Sequence, residues 1–165
     1  MKKYFKIIAL FFLGFSIISC EDDGYEDFNA GETAVQGVSG EWYVKILLDN
    51  QPLSDYYLLD TYNTASNSAD TLWINDNGNL YDFKVKTPVT SLDNKTFGGD
   101  NLVNQVEDYE INVNINNGKV LTNEALTEAG NVSDSIYFEA EFSDDPGTIY
   151  QFAGYRRTGF VEDEH

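Results

Sequence analysis

Apolar and polar residues alternate along several stretches of this chain with a period of two. The pattern is clearest at 109–115, where Tyr109, Ile111, Val113 and Ile115 are separated by polar residues, and it recurs at 81–86 and 136–142. Successive side chains of a β-strand point to opposite faces of a sheet, so this period predicts strands with one buried face. We therefore expect Ile111, Val113, Phe138 and Phe142 to lie inside an all-β fold.

Three short segments, at 76–79, 116–118 and 144–147, carry the Gly and Asn residues typical of tight turns. Between such segments we predict eight strands, near residues 40–49, 54–62, 70–75, 80–87, 107–116, 118–124, 133–143 and 148–157, with less regular structure from 88 to 106. Closing a sheet removes its exposed edges. The expected fold is therefore a single antiparallel, up-and-down, eight-stranded β-barrel, and a two-sheet β-sandwich is the alternative.

The N-terminal residues predict export and lipidation. Three lysines, at positions 2, 3 and 6, precede an uncharged apolar run at 7–18, which is too short to cross a bilayer comfortably and is typical of a signal peptide. Ser19 and then Cys20, the only cysteine of the chain, follow the run in the pattern of a bacterial lipobox. We expect residues 1–19 to be removed and Cys20 to be acylated, which anchors the protein in a membrane.

The residues after Cys20 are acidic and predict a linker. Residues 20–38 contain no Lys or Arg and few apolar side chains, so we expect a lipidated linker followed by one barrel domain at 39–165. Its first acidic residues, 21–27, resemble the surface-export signals of Bacteroidetes lipoproteins, which implies an outward-facing position on the outer membrane. The formal net charge of −18 disfavours nucleic acid as a partner. We expect a monomer.

Several segments, in order along nearly the whole chain after Cys20, resemble the Bacteroidetes family named lipid-binding putative hydrolases. They are Gly40-Glu41-Trp42-Tyr43-Val44, Thr61-Tyr62-Asn63-Thr64-Ala65, Gly118-Lys119-Val120, Asp134-Ser135-Ile136-Tyr137-Phe138, Asp144-Asp145-Pro146-Gly147 and Gly154-Tyr155-Arg156-Arg157-Thr158-Gly159-Phe160. The resemblance implies a lipoprotein whose barrel is lipocalin-like.

The sequence lacks the residues of a histidine-dependent or zinc-dependent hydrolase. Ser-His-Asp and Cys-His sites require a histidine beside the nucleophile, and the only histidine is His165, at the end of an acidic tail that we expect to be disordered. One histidine and one lipidated cysteine cannot form a usual zinc site, and no Gly-x-Ser-x-Gly elbow occurs. We expect no enzyme activity, no cofactor and no metal.

Two functions fit these features. In the first, the barrel holds a small hydrophobic or amphipathic ligand, and the candidate lining residues are the aromatic and aliphatic side chains Trp42, Tyr81, Phe83, Ile111, Phe138 and Phe152. In the second, the barrel is filled by its own side chains, and the exterior docks a glycan or an outer-membrane protein complex. An eight-stranded barrel lies at the boundary between a filled interior and one that holds a ligand, so the sequence leaves both open.

Trp42 and Arg156 form a candidate structural pair. The combination of Gly40-x-Trp42 on the first strand and Arg156-Arg157 on the last resembles the structural signature of the calycins, in which an arginine packs across the tryptophan at one end of the barrel. Strand parity places Arg156 on the inner face with Phe152, and Arg157 on the outer face with Gln151. We expect Arg156 to stack on Trp42 in a structural role.

Overall fold

The computed structural model describes residues 31–79 and 81–165, and over these residues the chain forms nine strands and two short 3₁₀ helices. The strands are β1 (Gly40–Leu48), β2 (Gln51–Pro52), β3 (Tyr57–Asn63), β4 (Thr71–Asn75), β5 (Lys84–Ser91), β6 (Thr96–Val103), β7 (Asn112–Leu126), β8 (Val132–Phe142) and β9 (Tyr150–Arg156). The 3₁₀ helices span Gln36–Val38 and Val161–Asp163. Within the described ranges, no helix has the length and apolar character needed to span a membrane.

The strands form one closed antiparallel barrel. The neighbours follow chain order from β3 to β9, and β1 pairs with both β3 and β9, so the first and last long strands join. β2 is a short extra strand beside the end of β1. The predicted eight-stranded, lipocalin-like barrel is therefore confirmed, and the sandwich alternative is wrong.

Alternate residues of the strands are buried on the inner face, as the period of two predicts. Val113, Phe138 and Phe142 are fully buried, and Ile111, just before β7, is 7% exposed. The intervening residue Glu139 lies on the outer face, where it is only partly covered. Burial of large apolar side chains is the main favourable contribution to a fold of this kind.

The middle of the chain departs from the prediction. Residues 88–106, expected to be less regular, contain the end of β5 and all of β6. β6 includes Gly98-Gly99 and Asp100-Asn101, residue types that are depleted in strands. Neither residue propensity nor apolar–polar alternation therefore predicts this strand. The strand is held by its neighbour β7, although the register shifts near Gly99.

The turn predicted at 116–118 is also wrong, because β7 continues through it as one strand from Asn112 to Leu126. Asn117 adopts a positive φ of 55°, and the pairing of β7 with β8 shifts register between Asn116 and Lys119. A bulge in a long strand requires the same local backbone freedom as a tight turn. Asn117 thus has the positive φ that the Asn-Gly pair predicts, but it forms a bulge and not a turn.

The packed structure extends N-terminally of residue 39, the predicted boundary between linker and domain. Val35 and Val38 are fully buried and belong to the main apolar core. Val35 precedes the 3₁₀ helix Gln36–Val38 and Val38 is its last residue, and the helix packs close to β3 and β7. The end of the predicted linker therefore supplies two core side chains at one end of the barrel.

Candidate functional site

Aromatic side chains of the interior contact one another. Phe138 and Phe152 are stacked, with ring centroids 4.5 Å apart and an interplanar angle of 10°. Phe83 meets Phe152 edge-on at 5.8 Å and Phe142 at 5.4 Å. Offset-stacked and edge-to-face arrangements are the favourable geometries for aromatic pairs. The interior is thus an apolar, aromatic environment that runs along the barrel.

One end of the barrel, which we call the tryptophan end, is defined by Trp42, Arg156, Val35 and Val38. The Arg156 Cζ lies 4.5 Å from the centroid of the Trp42 ring, and its Nη1 donates to the Ser39 carbonyl at 2.7 Å. The guanidinium Nε lies 3.2 Å from a carboxylate oxygen of Asp134. Arginine over an indole gains cation–π energy, and its fork can donate hydrogen bonds at the same time.

A second set of polar contacts fixes the Trp42 ring. Its Nε1 donates to the Thr61 hydroxyl at 2.8 Å, and that hydroxyl donates to the Val38 carbonyl at 2.7 Å. Buried N–H groups are costly unless they find a partner, so these bonds allow the indole to be fully buried. The contacts also tie the 3₁₀ helix to β3, which closes the tryptophan end.

The opposite end, which we call the tyrosine end, is defined by Tyr57, Tyr81, Tyr109 and Tyr150. Tyr81 stacks on Phe142 with centroids 4.0 Å apart and lies 4.8 Å from the Tyr150 ring. Tyr57, Tyr81 and Tyr109 are only partly buried while they pack against the core. These rings therefore form the boundary between the aromatic interior and solvent.

Carboxylates surround the hydroxyls of the tyrosine end. Tyr109 donates to Asp144 at 2.8 Å, and Tyr150 donates to Asp145 at 2.7 Å. Burial, together with the Asp144 carboxylate, raises the pKa of Tyr109 to about 12. The hydrogen bond to Asp145, followed by that with Tyr81, raises the pKa of Tyr150. Both phenols are therefore neutral donors at ordinary pH, and the charge at this end is negative.

Asp76 organises the loop that carries Tyr81. Its carboxylate is fully buried and accepts hydrogen bonds from the backbone N–H groups of Tyr81 and Asp82, at 3.1 Å each. Burial, followed by the Asp76 charge, raises the pKa of Tyr57. This loop explains why β5 begins at Lys84 rather than at the predicted residue 80, because residues 81–83 wrap around Asp76 first.

The predicted lining residues lie in the interior or at one of its two ends. Trp42, Phe83, Phe138 and Phe152 are fully buried, Ile111 nearly so, and Tyr81 is partly exposed. Contact of these residues with a ligand stays a prediction. Cys20, the predicted lipidation site, lies outside the described residues.

Sequence reasoning missed the roles of Asp76 and Tyr57. Asp76 was assigned to a turn, and a carboxylate in an Asn-Gly turn is normally solvated, so the sequence offered no signal that it is buried. Tyr57 falls on the inner face of β3 by parity with Leu59 and Thr61. That alternation could have identified it.

His165 is not a free end in the structure. Its Nε2 shares a hydrogen bond with the Tyr155 hydroxyl, and its ring lies 4.8 Å from the Tyr43 ring and 4.6 Å from the Tyr56 ring. Tyr43 and Tyr155 lie on the outer side of β1 and β9, away from the interior aromatic rings, and Tyr56 lies just before β3. Within the part of the chain that the structure describes, no three His, Cys, Asp or Glu side chains group in a way that could hold a metal ion.

The model of a family described as lipid-binding putative hydrolase matches residues 27–161, which include every strand of the barrel. No curated protein matches the chain.

Proposed function

Because the chain belongs to the lipid-binding putative hydrolase family, we propose that its barrel binds one small hydrophobic or amphipathic molecule in the aromatic interior. The observation that carries this proposal is the continuous set of aromatic contacts from Tyr81 through Phe142 and Phe83 to Phe152. Ligand sites in proteins are lined mainly by apolar and aromatic side chains with a few fixed polar groups at one position.

Access to the interior is from the tyrosine end. The tryptophan end is closed by the 3₁₀ helix and Arg156, whereas Tyr81 is partly exposed and is held to the core by ring stacking on Phe142. Displacement of the Tyr81 ring would open a path to Phe142 and Phe83. Rotation of one partly exposed ring needs less rearrangement than opening a hydrogen-bonded barrel seam.

The charges at the tyrosine end select the head group. Asp144 and Asp145 accept hydrogen bonds from Tyr109 and Tyr150, so a bound head group lies near carboxylates and phenolic hydroxyls. A carboxylate or phosphate head would be repelled there. The ligand is therefore an amphipath with a neutral or cationic head, rather than a free fatty acid.

The proposed role is non-enzymatic and belongs to the cell envelope. Among the described residues the hydrogen-bond partner of the only histidine is a phenol, Tyr155, and not an aliphatic hydroxyl or thiol that could act as its nucleophile. The lipobox at Cys20 and the acidic residues after it support a lipid-anchored protein of the outer membrane that faces outward. These residues lie outside the described ranges.

Native mass spectrometry of the protein purified from its own host tests the proposal. We expect a noncovalent 1:1 adduct, beyond the covalent mass of the N-terminal lipid, and extraction should release a neutral or cationic amphipath. The same protein refolded after organic extraction provides the ligand-free control. A preparation that carries only the covalent mass, and regains no adduct on incubation with a host lipid extract, would contradict the proposed function.

A further inference from the structure

A groove of about 750 Å³ lies on the outer face of the barrel, across β5, β6, β7 and β8. Its polar lining includes Thr90, Thr96, Asn116, Asn117, Tyr137 and Glu139. None of the interior lining candidates borders it. The volume falls in the range of about 300–1,000 Å³ that is usual for small-ligand sites. The groove is therefore separate from the proposed lipid site.

The backbone builds the floor of the groove. At Gly98, a Cβ would lie 2.7 Å from the Ile115 carbonyl oxygen, so no side chain can cover this position without movement of β7. The neighbouring bulge in β7 sets Asn116 and the positive-φ residue Asn117 side by side on the outer face. The depression thus results from strand geometry and required glycine rather than from side chains that could rotate to fill it.

Hydrogen bonds fix the polar groups of the groove. The Glu139 carboxylate accepts from the Tyr137 hydroxyl at 2.8 Å and from the Asn117 amide at 2.7 Å. On the facing side, the Thr90 hydroxyl donates to the Thr96 hydroxyl at 2.8 Å. Groups that are already oriented lose less conformational entropy when a ligand binds. Carboxylate, amide and hydroxyl groups that converge in this way are suited to a ligand rich in hydroxyls.

The charges of the groove limit the class of ligand. Asp100 and Glu139 contribute two negative charges, and Lys119 contributes one positive charge, with its Nζ 5.5 Å from the centroid of the Tyr137 ring. An anionic ligand is therefore disfavoured. The Tyr137 ring adds a flat apolar surface beside the polar groups, which suits a molecule that combines C–H faces with hydroxyls.

We propose that this groove is a second binding site, specific for a neutral oligosaccharide. The sugar hydroxyls donate to Glu139 and exchange hydrogen bonds with Asn116 and Asn117, and a sugar ring packs against Tyr137. The site goes beyond the interior lipid site and uses none of its residues, so each can fail without the other.

A glycan array tests this proposal with the mature Cys20→Ala protein, which carries no covalent lipid. The array carries neutral oligosaccharides built on glucose, galactose, mannose and N-acetylglucosamine, together with polygalacturonate and sulfated oligosaccharides. We expect binding to at least one neutral class and none to the anionic members. Isothermal titration with the neutral oligosaccharide that binds best then measures the variants. Glu139→Gln, which removes the charge of the acceptor, should weaken binding about tenfold.

Two tyrosine variants distinguish binding in the groove from nonspecific binding elsewhere on the surface. Tyr62 is another partly buried tyrosine on the outer face, with the Lys84 ammonium 5.7 Å from its ring, but it lies outside the groove. Tyr137→Ala should abolish oligosaccharide binding, and Tyr62→Ala should leave it unchanged, while both variants keep the circular dichroism spectrum of the parent. Absence of any neutral ligand on the array, or equal loss in the two variants, would overturn the proposal.

Discussion

The Arg156 guanidinium packs over the Trp42 indole, with 4.5 Å between Cζ and the ring centroid, and the two residues face each other directly across the β1–β9 seam. The strand pair that closes the barrel therefore also closes its tryptophan end. The parity of β9 predicts this arrangement, because Arg156 follows Phe152 at a spacing of four residues and so shares its inner face.

Arg156→Ala should destabilise the protein strongly. The substitution removes the contact with Trp42, the ion pair with Asp134 and the hydrogen bond to the Ser39 carbonyl. We expect the free energy of unfolding in urea to fall by about 2–3 kcal/mol. Arg156→Lys should give an intermediate loss, because the charge remains while the planar fork is lost.

Arg157→Ala is the matched control for that experiment. Arg157 lies on the outside, where it pairs with Glu41 and Glu164, and exposed ion pairs contribute little to stability. The urea midpoint of Arg157→Ala should lie closer to that of the parent than the midpoint of Arg156→Ala does. A larger loss for Arg157→Ala than for Arg156→Ala would contradict the structural role of the Trp42–Arg156 pair.

Gly154→Ala should disturb the closing seam itself. A Cβ at this position would overlap the Tyr43 carbonyl oxygen and come within 2.7 Å of the Val44 Cα. Because both neighbours are backbone, relief requires the strands to separate, and we expect a loss of about 1–3 kcal/mol in thermal or urea unfolding. Gly37→Ala serves as the control, since its nearest neighbour is the flexible Lys95 side chain at 3.6 Å. Similar melting temperatures for the two variants would argue against a tightly packed seam.

The C-terminal segment should lose its contribution to stability in acid. Burial opposes ionisation of Asp163, but hydrogen bonds from Thr127, Thr158 and Asn131 hold its pKa below the ordinary value. A carboxylate whose pKa is lowered on folding stabilises the protein at pH values above its pKa in the unfolded chain, which is near 4. This stabilisation is lost as the pH falls through the pKa of the folded state.

The difference in unfolding free energy between the parent and Asp163→Asn should therefore be present at neutral pH and shrink below about pH 4. Urea titrations at several pH values measure this difference. The same titrations of Glu162→Gln, which changes an exposed neighbouring carboxylate, are the control. A difference that grows as the pH falls would reverse the sign and refute the assignment.

Cys20→Ala should leave the protein without its acyl anchor. We expect the variant to leave the membrane fraction on cell fractionation, because no lipid can be attached to alanine. Ser16→Ala, within the apolar run that precedes the lipobox, should remain membrane-bound. Normal membrane attachment of the Cys20→Ala protein would exclude lipidation as the anchor.

The sequence predicts the barrel well where each strand has one apolar face. In β8, alternation alone places Ile136, Phe138 and Phe142 inside, and the structure agrees. It fails in β6, where glycines remove the side chains on which the pattern depends. It also fails at Asn117, because a positive φ is compatible with both a turn and a bulge. Local chemistry there does not determine whether the chain reverses.

The candidate site is less visible in the sequence than the fold. Parity identifies Phe138 and Phe152 as interior residues, but their mutual stacking depends on the register of β8 against β9, which sets the two side by side. The Asp76 carboxylate lies beside Tyr57, and the His165 ring lies against Tyr43, although the partners in each pair are distant along the chain. Such contacts depend on the loops and tails outside the strands, for which a single sequence provides no period.

A two-dimensional NMR titration tests binding in the interior most directly. The mature Cys20→Ala protein, labelled with ¹³C in its aromatic rings and isoleucine methyl groups, is titrated with monolauroylglycerol, and laurate serves as the anionic control. We expect shifts at Tyr81, Tyr150 and Ile111 that extend to Phe138 and Phe152 and saturate at one molecule per chain, with weaker effects from laurate. Shifts confined to the outer face, for example at Tyr137, or no saturable shift at all, would contradict a ligand site inside the barrel.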